Sequence, residues 1–144
     1  MLQFVVRRAE ASECDAIRTI VQTVVDETYG GIWASPPLPI DEENWSDSTV
    51  AVVEDRIVGA VLTRGDWLSD LWVLRLNRGF GIGRALLAQG ESEMFARGHR
   101  TFRLRVVKFN AAAVGFYLSQ GWRIDREFPH ERLPISMLEM VKSA

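Results

Sequence analysis

This chain of 144 residues has one cysteine, two histidines, five prolines, and no repeat or low-complexity tract. With Cys14 alone, no intramolecular disulfide can form, which excludes the bridge-dependent secreted scaffolds and points to the cytoplasm. Cys14 falls in the first turn of a predicted helix and reads as incidental. No apolar run approaches the roughly 20 residues that cross a bilayer. The opening M-L-Q-F-V-V-R-R is too short for a signal peptide, so neither a membrane partner nor export is expected. Neither sign of charge dominates: 17 basic and 19 acidic side chains leave a net charge of −2. That balance lacks the basic footprint of a nucleic-acid binder. No metal site is expected.

What is present is a globular composition, 47% hydrophobic. At this length a single domain, residues 1–144, buries about two-thirds of the surface its unfolded chain exposes. Residues 3–8 read as a first strand. Ser12 reads as an N-cap with Glu13 and Asp15 favourably placed for the helix dipole. The helix that follows carries Ile17, Ile20, Val21, Val24, Val25 and Thr28 on one side, and Gly30 and Gly31 stop it. Residues 32–48 form an irregular segment, with a short helix from Pro39 or Asp41 to Trp45. Thr49–Glu54 and Arg56–Thr63 read as strands meeting in a tight hairpin at Glu54 and Asp55. After a second reversal at Arg64-Gly65-Asp66 comes a strand, Trp67–Leu74. A helix then runs to about Arg97, closed by Gly98. Thr101–Val107 alternates Phe102, Leu104 and Val106 against Arg103 and Arg105, the pattern of a half-buried strand. Asn110–Ser119 reads as a helix, and Trp122–Phe128 and Leu133–Val141 as the last strands. This order predicts an α/β fold with one mixed central sheet flanked by helices.

The run S-D-L-W-V-L-R-L-N-R-G-F-G-I-G-R-A-L-L, from Ser69 to Leu87, carries most of the functional information. It is a strand, a turn holding Gly79, Gly81 and Gly83, and the start of a helix. Glycine allows a tight turn and a close ligand approach. A helix start presents N–H groups without internal acceptors, and its dipole adds about half a positive charge. Arg78 and Arg84 bracket the turn with fixed charge, which suits a pyrophosphate. A Walker loop would need Gly, four residues, then Gly-Lys-Ser/Thr, and none is present. The dinucleotide fingerprint G-x-G-x-x-G fails at Arg84, and it belongs after the first strand of a domain. What remains is Arg-x-x-Gly-x-Gly, at Arg78, Gly81 and Gly83. It resembles the acyl-CoA pyrophosphate loop of the GCN5-related N-acetyltransferases, the GNAT family.

A second motif follows, N-A-A-A-V-G-F-Y-L-S-Q-G-W, from Asn110 to Trp122. Asn110 suits an N-cap, and Ala113, Phe116 and Tyr117 fall three and four apart on one helical side. Asn-x-x-Ala-x-x-Phe-Tyr, then Gly-aromatic, is similar to the second acyl-CoA motif of the same family. The resemblance spans the chain from the Ser12 helix to the final strand. It implies a mostly antiparallel sheet that splays open at the acyl-CoA site, and acetyl-CoA as co-substrate. The backbone of Leu71, Trp72 and Val73 would pair with the pantetheine arm as an added strand. The amides across Gly79, Phe80, Gly81, Ile82, Gly83 and Arg84, beside Arg78, would hold the pyrophosphate. Asn110, with Ala113 and Phe116, would contact the arm, and Tyr117 would protonate the leaving thiolate. One departure is Arg75, where the family often has proline, which leaves the fold intact but alters the strand's exit.

An amine has an unperturbed pKa near 10, so it must lose a proton before it attacks a thioester. Asp66, Ser69 and Asp70 are candidate proton acceptors; Ser69 shares a strand face with Leu71 and Val73, Asp66 and Asp70 the opposite one. His99 and His130, at a helix end and in a polar turn, are poor candidates. The acceptor is expected to be recognised by residues 29–47 and the turn around Phe128–Pro134. There Trp33 and Trp45, with Asp41, Glu42 and Glu43, can form a cage for a cation. The expected function is an acetyl-CoA-dependent N-acetyltransferase acting on a small-molecule or peptide primary amine, by direct transfer in a ternary complex. The alternative from another class is an inactive CoA-binding sensor or interaction module, and a nucleotide-binding domain is a weaker third. A homodimer is left open.

Overall fold

The computed structural model describes residues 3–29 and 44–144. Among these residues seven strands form a sheet in the order β1-β2-β3-β4-β5-β7-β6. They are β1 (Val5–Arg8), β2 (Thr49–Val53), β3 (Arg56–Arg64), β4 (Trp67–Val73), β5 (Thr101–Val107), β6 (Arg123–Pro129) and β7 (Ser136–Ser143). Among the described residues three α-helices accompany them: α1 (Cys14–Tyr29), α2 (Ile82–Ala96) and α3 (Ala111–Ser119). β4 and β5 pair in parallel. The β1–β2, β2–β3, β5–β7 and β6–β7 ladders are antiparallel. The sheet is therefore mixed, as the element order predicts, and mostly antiparallel, as the resemblance implies. No helix among the described residues is long and apolar enough to cross a membrane.

The chain divides into two compact units. The first comprises residues 1–62 and 70–90. Here α1 buries Ile17, Val21, Val24 and Val25, the stripe that the 3.6-residue spacing predicts. Each such side chain, fully buried, contributes about 1.5–3 kcal/mol. The helix start differs from expectation. A 3-10 turn, Ala11–Glu13, precedes α1, and the Glu13 carboxylate accepts the Glu10 N–H at 2.8 Å, so Ser12 is not the cap. Arg7 clamps the same carboxylate with two bonds of 2.8 and 2.9 Å, which holds the Glu13 carboxyl well below its ordinary value, at about 2. β2 and β3 meet in a two-residue turn in which Glu54 and Asp55 have φ of 50° and 64°. This is the left-handed pair that matches the twist of a hairpin. A Cβ at Gly59 on β3 would stand 2.9 Å from the Trp72 carbonyl and 3.0 Å from Leu86, so glycine lets β4 and α2 pack closely there.

The second unit comprises residues 63–69 and 91–144. β5 buries Phe102, Leu104 and Val106 with Leu138 and Met140 of β7, as its alternation predicts. α2 ends at Ala96, and Gly98, with φ of 97°, allows the reversal that closes the helix, its N–H bonding to Phe95 and that of His99 to Met94. The last strands start later than expected. Trp122 is a buried residue ahead of β6, and Leu133 and Pro134 belong to the turn before β7. His130 organises that turn, its Nδ1 accepting the N–H groups of Arg132 and Leu133 at 3.0 and 3.1 Å.

Candidate active site

In the first unit the glycine turn is built from the backbone. β4 ends at Val73, Leu74 donates its N–H to the Val58 carbonyl, and Arg75–Asn77 form a 3-10 turn at the strand's exit. Arg78 then ties the turn back to the strand, its Nε donating to the Val73 carbonyl at 3.1 Å. Gly79 and Gly81 have φ of 85° and 86°, and a Cβ at either would touch nothing within 4 Å. Glycine is needed there for the backbone angle and not for space, since L side chains rarely adopt that region. The first intrahelical bond of α2 runs from Ala85 N–H to the Gly81 carbonyl at 3.0 Å. The N–H groups of Ile82, Gly83 and Arg84 therefore precede the helical ladder, and Gly81 has no side chain to cap them. Residues 78–81 and Arg84 are exposed, whereas Ile82, Leu86 and Leu87 are buried and fix the helix. Two guanidinium groups, the dipole and the N–H groups together favour an anion.

Leu71, Trp72 and Val73 are half-buried. Trp72 Nε1 donates to Asp70 Oδ1 at 2.9 Å, so these two side chains share a face and the indole orients the carboxylate. Sequence reasoning missed this pair, although an i, i+2 spacing on a strand is the signal that could have found it.

In the second unit the β4–β5 ladder consists of two pairs, Trp67 with Arg103 and Leu68 with Leu104. It stops there although β5 continues for three residues, to Val107. Ser69, the first residue after the ladder, is exposed. Asp66 does not share the Asp70 face as expected. It lies in the turn before β4 and forms an ion pair with Arg103 at 3.3 Å.

Asn110 caps α3, its side-chain oxygen accepting the Ala113 N–H at 3.2 Å. Ala113 and Phe116 are half-buried. Tyr117, 9% exposed, packs edge-on against Phe116 and Trp122, with ring centroids 5.4 and 6.1 Å away. Gly121, with φ of 91°, turns the chain so that Trp122 donates its N–H back to the Tyr117 carbonyl. Glu91 holds Trp122 from α2, accepting the indole N–H at 3.3 Å while Lys142 binds its other oxygen at 2.7 Å.

Trp45, expected to form a cage with Trp33, is 1% exposed and presents no ring face to a cation. Trp33, Asp41, Glu42 and Glu43 lie outside the described residues. Among the described residues no cluster of His, Cys, Asp or Glu could hold a metal ion.

With this geometry in place, comparison with known proteins identifies the family. The model of the acetyltransferase (GNAT) family matches residues 10–122, and the chain belongs to that family. No curated protein matches the sequence. Among solved structures the fold is similar to the apo form of YjaB from Escherichia coli, at 24% identity and TM-score 0.78, over 97% of each chain. It is similar to PaiA N-acetyltransferase from Thermoplasma acidophilum in complex with coenzyme A, at 17% identity and TM-score 0.78, over 99% of this chain and 100% of that one. It is also similar to Naa50 from Arabidopsis thaliana with the bisubstrate analogue CoA-Ac-MVNAL, at 18% identity and TM-score 0.74, over 98% and 99%.

Proposed function

We propose that this GNAT acetyltransferase transfers the acetyl group of acetyl-CoA directly to a primary amine in a ternary complex. The observation that carries the reading is the start of α2, where three N–H groups precede the helical ladder beside two glycines at positive φ. In this reading the amides from Gly79 to Arg84, with Arg78, hold the pyrophosphate, and the Leu71–Val73 backbone takes the pantetheine arm as an added strand. Asn110, Ala113 and Phe116 line the arm. That α2 has no cap of its own fits a helix that receives its anion from the ligand.

The chemistry assigns the remaining residues. The neutral amine nitrogen attacks the thioester carbonyl carbon, a C–N bond forms, and the carbonyl oxygen takes up negative charge. The nitrogen's surplus proton passes to Asp70, which Trp72 orients, or by way of Ser69 to solvent. As the oxygen's electron pair returns, the C–S bond breaks, and the Tyr117 hydroxyl gives its proton to the departing sulfur. Tyr117 is then reprotonated from solvent, leaving the amide and free CoA. Trp33 and the carboxylates of Asp41, Glu42 and Glu43 are proposed to favour a cationic acceptor, and the cytoplasm is the proposed location.

An assay that follows free thiol released from acetyl-CoA across a panel of primary amines tests this reading. Transfer to at least one amine, with the N-acetyl product seen by mass spectrometry, is the expected result. Tight acetyl-CoA binding without thiol release from any amine would make the chain a CoA-binding module instead.

A further inference from the structure

One face of the second unit carries a charge imbalance that packing does not require. On β5, Arg103 and Arg105 point away from the buried Phe102, Leu104 and Val106. Across the ladder, Arg105 stands opposite Glu139 of β7, a carboxylate only 5% exposed. Glu139 is nevertheless taken by two other arginines. Arg126 Nη2 reaches Oε1 at 3.1 Å and Arg103 Nη1 reaches Oε2 at 3.6 Å, while Arg103 also pairs with Asp66. A register shift between Ile124 and Arg126 sets this arrangement, bringing Arg126 opposite Glu139 where an unbroken ladder would bring Asp125. Two carboxylates therefore face three guanidinium groups, and Arg105 is the one left over. Among the described residues its guanidinium has no hydrogen bond or ion pair.

Arg105 is not loose, however. Its guanidinium carbon lies 5.1 Å from the Trp67 ring centroid and 5.3 Å from that of Phe128. A guanidinium held over aromatic rings by cation–π attraction keeps its N–H donors for a planar, bidentate partner. Holding the group in place beforehand lowers the ordering cost of binding. Trp67 lies on the Ser69 side of β4, and Arg105 is the first β5 residue beyond the last β4–β5 pair, Leu68 with Leu104. The unsatisfied cation thus sits on the strand face that carries Ser69.

We propose that Arg105 is a specificity residue that binds a carboxylate carried by the acceptor amine, so that the preferred acceptors are amino acids or peptides with an acidic group near the amine. The proposal rests on the acetyl-transfer reading above and narrows its substrate class. The test pairs each acid with its amide: β-alanine with β-alaninamide, and a Gly-Asp peptide amide with the Gly-Asn peptide amide. Thiol release gives kcat/KM for each. A charge-assisted bidentate contact should favour the acid by about ten- to a hundredfold. The ratio should fall to near one in Arg105→Met, which keeps an apolar stem between the rings, and to an intermediate value in Arg105→Lys. Preference in the first pair alone identifies a free amino acid, and preference in the second pair a peptide. Calorimetric titration of the same compounds into the CoA-saturated protein reads the ratio without turnover, which separates this inference from the acetyl-transfer reading. Equal treatment of acid and amide by the native chain in both measurements, or a preference that survives in a folded Arg105→Met, would overturn it.

Discussion

Helices α2 and α3 start in contrasting ways. At α3 the chain supplies its own acceptor, Asn110, whose side chain takes the Ala113 N–H, and the helix goes on to bury Tyr117. At α2 the residue before the helix is Gly81, the flanking residues are exposed, and the N–H groups of Ile82 to Arg84 precede the ladder. α1 resembles α3 in this respect, because Glu13 accepts from Glu10 at the turn that leads into it. A cap adds about 0.5–2 kcal/mol to a helix. Forgoing one at α2 leaves a helix start open to an external anion, and the surrounding arginines have the sign to attract one. The difference separates a helix end that completes the fold from one that, in the proposed reading, is left for a ligand.

The comparison can be broken most sharply by giving α2 an anion of its own. Gly83→Asp places a carboxylate where the pyrophosphate is expected, and calorimetry should show no acetyl-CoA binding in a protein whose far-ultraviolet dichroism is native. Next in size is Tyr117→Phe, which removes one hydroxyl from α3. Loss of a general acid costs about 10²–10⁴ in rate, so kcat should fall by that order with acetyl-CoA affinity little changed. Asn110→Ala should act on α3 as a cap loss does, lowering unfolding free energy by about 1 kcal/mol in urea titration. The equivalent change at α2, where no side chain caps, has nothing to remove. A last prediction concerns α1. Arg7 and the Glu10 N–H hold the Glu13 carboxyl at about 2 against an ordinary 4.5. A depressed carboxyl stabilises the fold above the unfolded value and loses that contribution as pH falls through the folded one. Stability should therefore decline between pH 4.5 and about 2, and less steeply in Glu13→Gln.

Much of this was legible in the sequence because the backbone dictates it. The apolar stripe of α1, the alternation of β5 and the glycines at positive φ each follow from a geometry that only certain residues satisfy. The α/β order and both motifs follow from the same signals. What escaped depends on how one strand registers against another. Strand alternation puts Asp66 on the Asp70 face only if the strand reaches residue 66, and the chain is in a turn there. The bulge in β6 cannot be read from R-I-D-R-E-F-P alone, so the pairing of Arg126 with Glu139 and the stacking of Arg105 were hidden. Ser12 looked like a cap by residue type, but the reach of Glu13 back to Glu10 competed successfully. Trp45 is a further case: tryptophan near an acidic run suits a cation site but is more often core, and here the ring is buried.

At 16.3 kDa the chain suits amide-resolved nuclear magnetic resonance, which tests the central claim directly. Acetyl-CoA is titrated in parallel with S-acetylpantetheine, which has the acetyl arm and no pyrophosphate. The account predicts that acetyl-CoA shifts the N–H signals of Gly81, Ile82, Gly83 and Arg84, whereas S-acetylpantetheine leaves those four in place and shifts the signals of the residues proposed to meet the arm, Leu71 to Val73 with Asn110, Ala113 and Phe116. Saturable acetyl-CoA binding that leaves the four amides at the start of α2 unmoved would contradict it.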